Sequence, residues 1–242
     1  MSGLRSQAQE FTGKLAGALG DRLESVVLHG SVARGEPVSG VSDVNLLVLV
    51  DGVDGELLRR LAPLAREWLE SERALPLVLT GEEWRAARDA FAIETADMLA
   101  DREVLHGEDP LAGAEVRDHD LRLQAERELR GKLIHLREGT LAAADRPQDL
   151  GRLLLTALPS VATYLRAALR LAGQPVPPST PGVLERGASL VDADPAPLRR
   201  LWELRSKRNV PEPDVDDPLV RGVHEVLTRT AEYVDTLYGD GE

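Results

Sequence analysis

The chain contains no cysteine, and aromatic residues make up only 3% of its 242 positions. Without cysteine it has neither disulfides nor thiolate metal sites, which fits a cytoplasmic protein. No apolar run approaches the about 20 residues that cross a bilayer. The first residues, MSGLRSQAQEFTGKL, have the pattern of an amphipathic helix and not of a signal peptide. We therefore expect a cytoplasmic protein that does not associate with membranes.

Positive charge is also scarce, because 29 basic residues face 41 acidic ones and leave a net charge of -12. Sequence-independent binding to nucleic acid needs a basic surface that displaces counterions, so this charge argues against a nucleic-acid partner. The hydrophobic content of 43% and charged content of 29% are typical of a globular protein. A chain of this length forms one large domain or two modest ones.

Hydrophobic periodicity divides the chain into two parts of similar size. Residues 1–112 alternate between helix and strand patterns, whereas residues 113–242 carry helical patterns only. The predicted fold is thus an α/β domain followed by an all-helical C-terminal domain. We predict strands at 23–29, 43–50, 74–80, 91–98 and 103–107, and helices at 4–19, 55–70, 81–90, 116–139, 150–173, 183–191, 195–206 and 218–238.

A Gly-Ser pair follows the first predicted strand, within the segment HGSVARGE. Gly30 lets a phosphate approach the backbone, and the Ser31 hydroxyl can donate a hydrogen bond to a phosphate oxygen. Arg34, one turn further on, can add a charged contact. A helix that began just after Gly30 would also direct its free N–H groups at an anion. Taken alone, the pair is equally the pattern of an ordinary glycine turn with a serine N-cap.

The next strand begins with Ser42-Asp43-Val44-Asn45-Leu46. Side chains alternate across a strand, so Asp43 and Asn45 share one face, and Val44, Leu46, Val48 and Val50 share the other. Two carboxylates at this spacing can hold two Mg²⁺ ions about 4 Å apart against a triphosphate. Here the second position is an asparagine. The alternative is an acid at the start of a strand followed by an exposed polar residue.

Together, Leu28-His29-Gly30-Ser31, Ala33-Arg34-Gly35-Glu36 and Ser42-Asp43-Val44-Asn45-Leu46 resemble the signature of the DNA polymerase β-like nucleotidyltransferase superfamily. The order of elements also resembles its small bacterial members, such as aminoglycoside adenylyltransferases and minimal nucleotidyltransferases paired with helical partners. The resemblance implies a nucleotidyltransferase-like mixed sheet domain that binds NTP, with ATP expected, together with Mg²⁺.

The superfamily takes a third carboxylate from a later strand, as a metal ligand or as the general base. Within FAIETADM, strand parity places Phe91 and Ile93 in the core and Glu94 on the open face. Glu94 is therefore the predicted third acid, and Asp97 has the wrong parity. The alternative is that Glu94 is a solvent-facing strand residue.

Asn45 departs from the superfamily pattern at the acid that usually bridges both metals. An asparagine keeps one carbonyl oxygen but loses a full negative charge. A unit charge 4 Å from a divalent ion is worth about 8 kcal/mol gross at an effective dielectric of about 20, of which a few kcal/mol survive desolvation. Either a single ion held by Asp43, Asn45 and Glu94 still supports transfer, or the fold keeps a nucleotide-shaped cleft without turnover.

The leading hypothesis is transfer of a nucleoside monophosphate from NTP to a hydroxyl of a small molecule or protein. The alternatives are a nucleotide-binding regulatory module without turnover and a toxin–antitoxin-like protein whose helical half binds a partner. The acceptor, the preferred nucleotide and the oligomeric state stay open, and a homo-oligomer is compatible with the sequence.

The helical half carries basic residues that could meet a phosphate. Arg122, Arg130 and Arg137 lie near one face of a predicted helix, and Arg205-Ser206-Lys207-Arg208 form a second cluster. Arg130 and His135 also fit a loose pattern of helical RNases. Because glutamates interleave these residues, a solvated charged face is the alternative explanation.

Overall fold

The computed structural model describes residues 2–35, 44–70 and 74–237. The chain divides into two compact units, Met1–Val116 and Arg117–Glu242. The first unit contains every strand of the described residues, and the second is helical throughout. Asp43, one of the predicted site residues, lies outside the described residues.

The elements of the first unit are α1 (Ser2–Leu19), β1 (Leu23–His29), β2 (Asn45–Val50), α2 (Gly55–Glu70), β3 (Leu77–Thr80), α3 (Gly81–Ala87), α4 (Ala92–Ala100) and β4 (Arg102–Gly107). The four strands form a mixed sheet in the order β3-β2-β1-β4. Strand β1 pairs antiparallel with β2 and with β4, whereas β2 and β3 are parallel. A short 3-10 turn precedes β1.

Both faces of this sheet are covered, which explains the uninterrupted apolar runs at 26–28 of β1 and 46–50 of β2. Val26, Leu28, Leu46 and Val48 pack into a cluster with side chains of α1 and α2. The alternate residues, among them Val27 and Leu47, pack with Trp84 and Met98 on the other face. The predicted alternation along residues 44–50 is confirmed. Asn45 therefore lies on the side of the sheet that α3 and α4 cover.

The predicted strand at residues 91–98 is wrong, because this segment forms helix α4. Its buried residues include Ala92, Ile93 and Ala96, which follow helical spacing. A short segment that alternates apolar and polar residues is compatible with either period, and burial against the sheet selects the helix. The parity argument that favoured Glu94 over Asp97 therefore loses its basis.

The second unit confirms the predicted all-helical fold. Helix α6 (Pro147–Leu171) contacts each of the other helices of this unit, and its buried residues run along nearly its whole length. No helix within residues 2–35, 44–70 and 74–237 combines the length and apolar character that a membrane span requires. The helices are α5 (Asp118–Ala142), α6 (Pro147–Leu171), α7 (Thr180–Leu190), α8 (Ala196–Ser206) and α9 (Pro218–Thr236).

Candidate functional site

The end of β1 and the start of β2 meet at one edge of the sheet, where His29 is paired with Asn45. Both residues are partly buried, whereas the apolar residues next to them in β1 and β2 are fully buried. The Gly30–Gly35 turn leaves the sheet at the same edge. The structure thus brings four predicted site residues, Gly30, Ser31, Arg34 and Asn45, to one place.

Residues 30–35 form two overlapping hydrogen-bonded turns, and none of the described residues 31–35 is helical. The Arg34 backbone N–H donates to the Gly30 carbonyl over 3.1 Å, and the Gly35 N–H donates to the Val32 carbonyl over 3.2 Å. Gly30 and Gly35 have φ angles of 78° and 77°, a region that favours glycine. A helix dipole is therefore not available from residues 31–35.

Gly30 also lies directly against Asn45. A Cβ built on Gly30 would come within 2.7 Å of the Asn45 amide nitrogen. The missing side chain at position 30 therefore leaves the Asn45 amide beside the turn, where it offers both a hydrogen-bond donor and an acceptor.

Arg34 is the main positive group of the site, and only 9% of its side chain is exposed. The carboxylate of Asp101 lies nearby, with its Oδ2 3.9 Å from Arg34 Nη1, beyond hydrogen-bond distance. The buried Nε–H of Arg34 has no hydrogen-bond partner among the described residues. A buried guanidinium with an open donor is a favourable partner for an anion, because the anion compensates the cost of burying the charge.

His29 contributes no positive charge at neutral pH. Burial lowers its pKa to about 4; Asp97 opposes this shift and the Arg34 charge adds to it. The imidazole is therefore neutral beside the turn. Among the described residues, Arg34 is a cation at this edge that can meet a phosphate.

The carboxylates near the site belong to helix α4, whereas the sequence predicted that they lie on a strand. Asp97 is close enough to His29 to act on its pKa, and Asp101 follows α4 near Arg34. Glu94, Asp97 and Asp101 are separated by three and four residues, so they share one side of this segment. Sequence reasoning missed Asp97 because it assigned a strand here, and helical spacing was the signal that could have found it.

The later strands place no acid beside Asn45. Strand β3 has the sequence LVLT and contains no carboxylate. In β4, Glu103 forms an ion pair with Arg5 at 2.7 Å. The neighbouring Arg102 forms an ion pair with Asp109, likewise at 2.7 Å, and donates a hydrogen bond to the Leu99 carbonyl over 3.1 Å. Arg102 therefore connects α4 to the segment after β4.

The expected Mg²⁺ finds few ligands in the described part of the chain. Residues 2–35, 44–70 and 74–237 contain no group of three or more aspartate, glutamate or histidine side chains that could hold a metal ion. Asn45 offers one carbonyl oxygen, and Glu94 lies on a helix instead of the predicted strand. These residues do not fit a two-ion centre. A single ion bound through Asp43 stays a prediction.

The basic residues of the helical unit are largely engaged with acids or carbonyls. Arg122 and Arg130 form ion pairs with Glu126 at 3.2 and 3.0 Å. Arg205 donates to the Leu155 carbonyl over 2.8 Å. The side chain of His135 is 77% exposed and lies 3.2 Å from Glu138. For Arg130 and His135 this arrangement favours the charged-face explanation, whereas the buried Nε–H of Arg122 has no hydrogen-bond partner among the described residues.

Comparisons with known proteins identify a fold. No family model matches the sequence, and no curated protein matches it. The chain is similar to the crystal structure of spectinomycin adenyltransferase AAD(9) from Enterococcus faecialis with ATP and spectinomycin. The TM-score is 0.59, the sequence identity is 12%, and the match covers 95% of this chain and 99% of that chain. The likeness shows a nucleotidyltransferase-like fold.

Proposed function

We propose that this chain binds a nucleoside triphosphate, with ATP as the expected nucleotide, beside the Gly30–Gly35 turn. In this proposal it transfers the nucleoside monophosphate to a hydroxyl of a small molecule. The observation that carries the proposal is the buried Arg34 guanidinium, whose Nε–H has no partner among the described residues. The fold supports it, because the similar structure is that of an adenyltransferase with ATP bound.

Each residue at this edge has a role that its position suits. The positive φ of Gly30 sets the direction of the turn, and its missing side chain leaves room for the Asn45 amide next to the backbone. Ser31 can donate its hydroxyl to a phosphate oxygen, and the Asn45 amide can donate a second hydrogen bond. Arg34 supplies the charge. The neutral His29 adds no competing cation.

The proposed reaction is an attack by the acceptor hydroxyl oxygen on the α-phosphorus. A new P–O bond forms, the bond between the α-phosphorus and the bridging oxygen to the β-phosphate breaks, and pyrophosphate leaves. The hydroxyl proton must go to a base, and a carboxylate of α4 is the group that can take it. Glu94 is the predicted third acid, and Asp97 joins it as a candidate because of its closeness to His29.

Labelled ATP tests this proposal directly. The protein is incubated with ATP labelled at the α-phosphate and with a panel of hydroxylated acceptors that includes spectinomycin, with and without Mg²⁺. The proposal expects label on an acceptor, release of pyrophosphate, and a lower rate in Arg34→Gln. ATP binding without label transfer, in both the wild type and Asn45→Asp, would instead support the nucleotide-binding module without turnover.

A further inference from the structure

Helix α5 carries apolar side chains on two opposite sides. On the outer side, Leu123, Ile134 and Leu141 are 45%, 54% and 81% exposed. They are 11 and 7 residues apart, which places them within about 20° of one line along the helix. We refer to these three residues as the α5 outer row. The opposite side packs within the second unit, where α5 contacts α6 and α9, and consists of Leu121, Ala125, Leu129, Leu133 and Leu136.

The alignment of the outer row distinguishes it from scattered surface residues. Single exposed apolar side chains are common on proteins, whereas an aligned row on a long helix is a surface on which another helix can pack. Helix α5 has 25 residues and is therefore about 37 Å long. The row extends over about 27 Å of this length, from Leu123 to Leu141. It is long enough for a helix–helix contact of several turns.

Charged residues flank the outer row on both sides. Arg127 and Glu138 lie on one side of it, and Glu126 and Arg137 lie on the other. Both arginines are exposed, and neither has an ion-pair partner among the described residues. Each arginine is about 16 Å along the helix from the glutamate on its own side, so these pairs cannot form within one chain. A second molecule can supply the missing partners.

A second copy of α5 in antiparallel orientation matches the apolar residues. The two-fold axis of such a pair passes at the level of Lys132, midway between Leu123 and Leu141. Leu123 of one copy then lies level with Leu141 of the second copy, because both are nine residues from Lys132. This contact occurs twice, once at each end of the row.

The same register matches the charges. Arg127 is five residues before Lys132 and Glu138 is six residues after it, so Arg127 comes within about 1.5 Å of the level of Glu138 of the second copy. Arg137 and Glu126, five residues after and six before, meet in the same way. Two-fold symmetry brings each flank of the row against the same flank of the second copy. Both flanks therefore join opposite charges, which favours a second copy as the partner.

Gly131 leaves space at the centre of this contact. A Cβ built on Gly131 meets nothing within 4 Å in the chain itself, and Ile134 of the second copy lies within one residue of its level. We propose that the protein forms a homodimer through antiparallel packing of the two α5 outer rows. The proposal does not depend on the nucleotide site, because α5 belongs to the second unit and the nucleotide site to the first.

Sedimentation equilibrium of the full-length protein tests the dimer. At about 100 μM the expected mass is that of two chains. Ile134→Glu and Leu141→Glu should each weaken the dimer by at least about tenfold, because each places two carboxylates in the contact. Leu58→Glu is the matched control, since Leu58 is 55% exposed on α2 of the first unit. A wild type with the mass of one chain overturns the proposal and leaves the row to a different protein. A dimer that only Leu58→Glu dissociates also overturns it.

Charge exchange tests the register and uses exposed positions that leave the core unchanged. Arg127→Glu and Glu138→Arg should each weaken the dimer by about tenfold, because each replaces two attractive pairs with two repulsive ones. Arg127→Glu/Glu138→Arg should restore the affinity of the wild type, since it recreates both pairs between the copies. A double variant that dimerises no more tightly than the single variants contradicts the proposed register.

Disulfide formation tests the orientation directly, because the chain has no cysteine of its own. Positions 123 and 141 of one chain are about 27 Å apart, whereas a disulfide joins Cα atoms no more than about 7 Å apart. A mixture of the Leu123→Cys and Leu141→Cys proteins should form a mixed disulfide on oxidation, and Leu141→Cys alone should not cross-link. Cross-linking of Leu141→Cys with itself, or the absence of the mixed disulfide, overturns the antiparallel dimer.

Discussion

The amide nitrogen of Asn45 lies where it would be 2.7 Å from a methyl group on Gly30. The size of the side chain at position 30 therefore limits where the Asn45 side chain can lie. The proposed phosphate position is next to both residues. The contact is possible because antiparallel pairing places His29 opposite Asn45. A substitution at either residue is expected to change the conformation of the other.

Gly30→Ala should destabilise the protein and weaken nucleotide binding. Its φ of 78° is unfavourable for alanine, and the added methyl group displaces the Asn45 amide. We expect a loss of about 1 kcal/mol or more in the free energy of urea unfolding. Gly13→Ala in α1 is the control, because a Cβ there meets nothing within 4 Å. In Gly30→Ala/Asn45→Ala the steric part of the loss should disappear, and equal losses in both backgrounds would contradict the contact.

Arg34→Gln should lower the affinity for ATP by about 10- to 100-fold, because it removes a charge-assisted hydrogen bond to phosphate from a buried position. Isothermal titration calorimetry measures this affinity. Arg60→Gln provides the control, since Arg60 pairs with Glu56 on the surface of α2. An unchanged affinity in Arg34→Gln would remove the central support of the proposed function.

Asn45→Asp should make nucleotide binding depend more strongly on Mg²⁺. The substitution restores a charge worth about 8 kcal/mol gross at 4 Å from a divalent ion, of which a few kcal/mol are expected to remain. We expect EDTA to weaken ATP binding at least about tenfold more in the variant than in the wild type. Asn45→Ala controls for loss of the amide. If EDTA affects the wild type and Asn45→Asp equally, position 45 does not contact a metal.

His29 should make stability depend on pH. Its folded pKa of about 4 lies below the ordinary value of 6.5, so between these values the unfolded chain binds a proton that the folded chain does not. Stability is fully present above pH 6.5 and falls as the pH drops toward 4, by up to about 3 kcal/mol. Urea unfolding across this range should show a smaller loss in His29→Asn. The exposed His135 supplies the control variant, His135→Asn, which should follow the wild type.

Asp97→Asn and Glu94→Gln should separate the two candidate bases. Removing the Asp97 charge lowers the pKa of His29 further, since Asp97 is the group that raises it. An NMR titration of the His29 ring measures this pKa. The variant of the acting base should slow label transfer with little effect on ATP affinity, whereas the other variant should transfer at the wild-type rate. Wild-type transfer in both would exclude the α4 carboxylates as the base.

Much of the fold could be predicted from local patterns. The apolar alternation of residues 44–50 predicted which side chains enter which face, and helical stripes predicted the second unit. Such patterns depend only on the period of a helix or strand, so they are visible in the sequence. The resemblance to the nucleotidyltransferase superfamily, and not the local pattern, predicted that the Gly-Ser pair and Asn45 belong to one site.

Residues 91–98 show where local pattern was not enough. Phe91, Ile93 and Thr95 alternate as a strand would, yet Ala92, Ile93 and Ala96 also fit a helix, and only burial against the sheet decided between them. Because this segment is a helix, Asp97 lies close to His29 and Asp101 lies near Arg34. The burial of Arg34 likewise depends on residues distant in sequence. The sequence by itself determined the periods of the strands and helices and the polar residues of the Gly30–Gly35 turn. Tertiary packing decided which charged groups are buried and which acids lie beside them, because burial depends on contacts between residues that are distant in sequence.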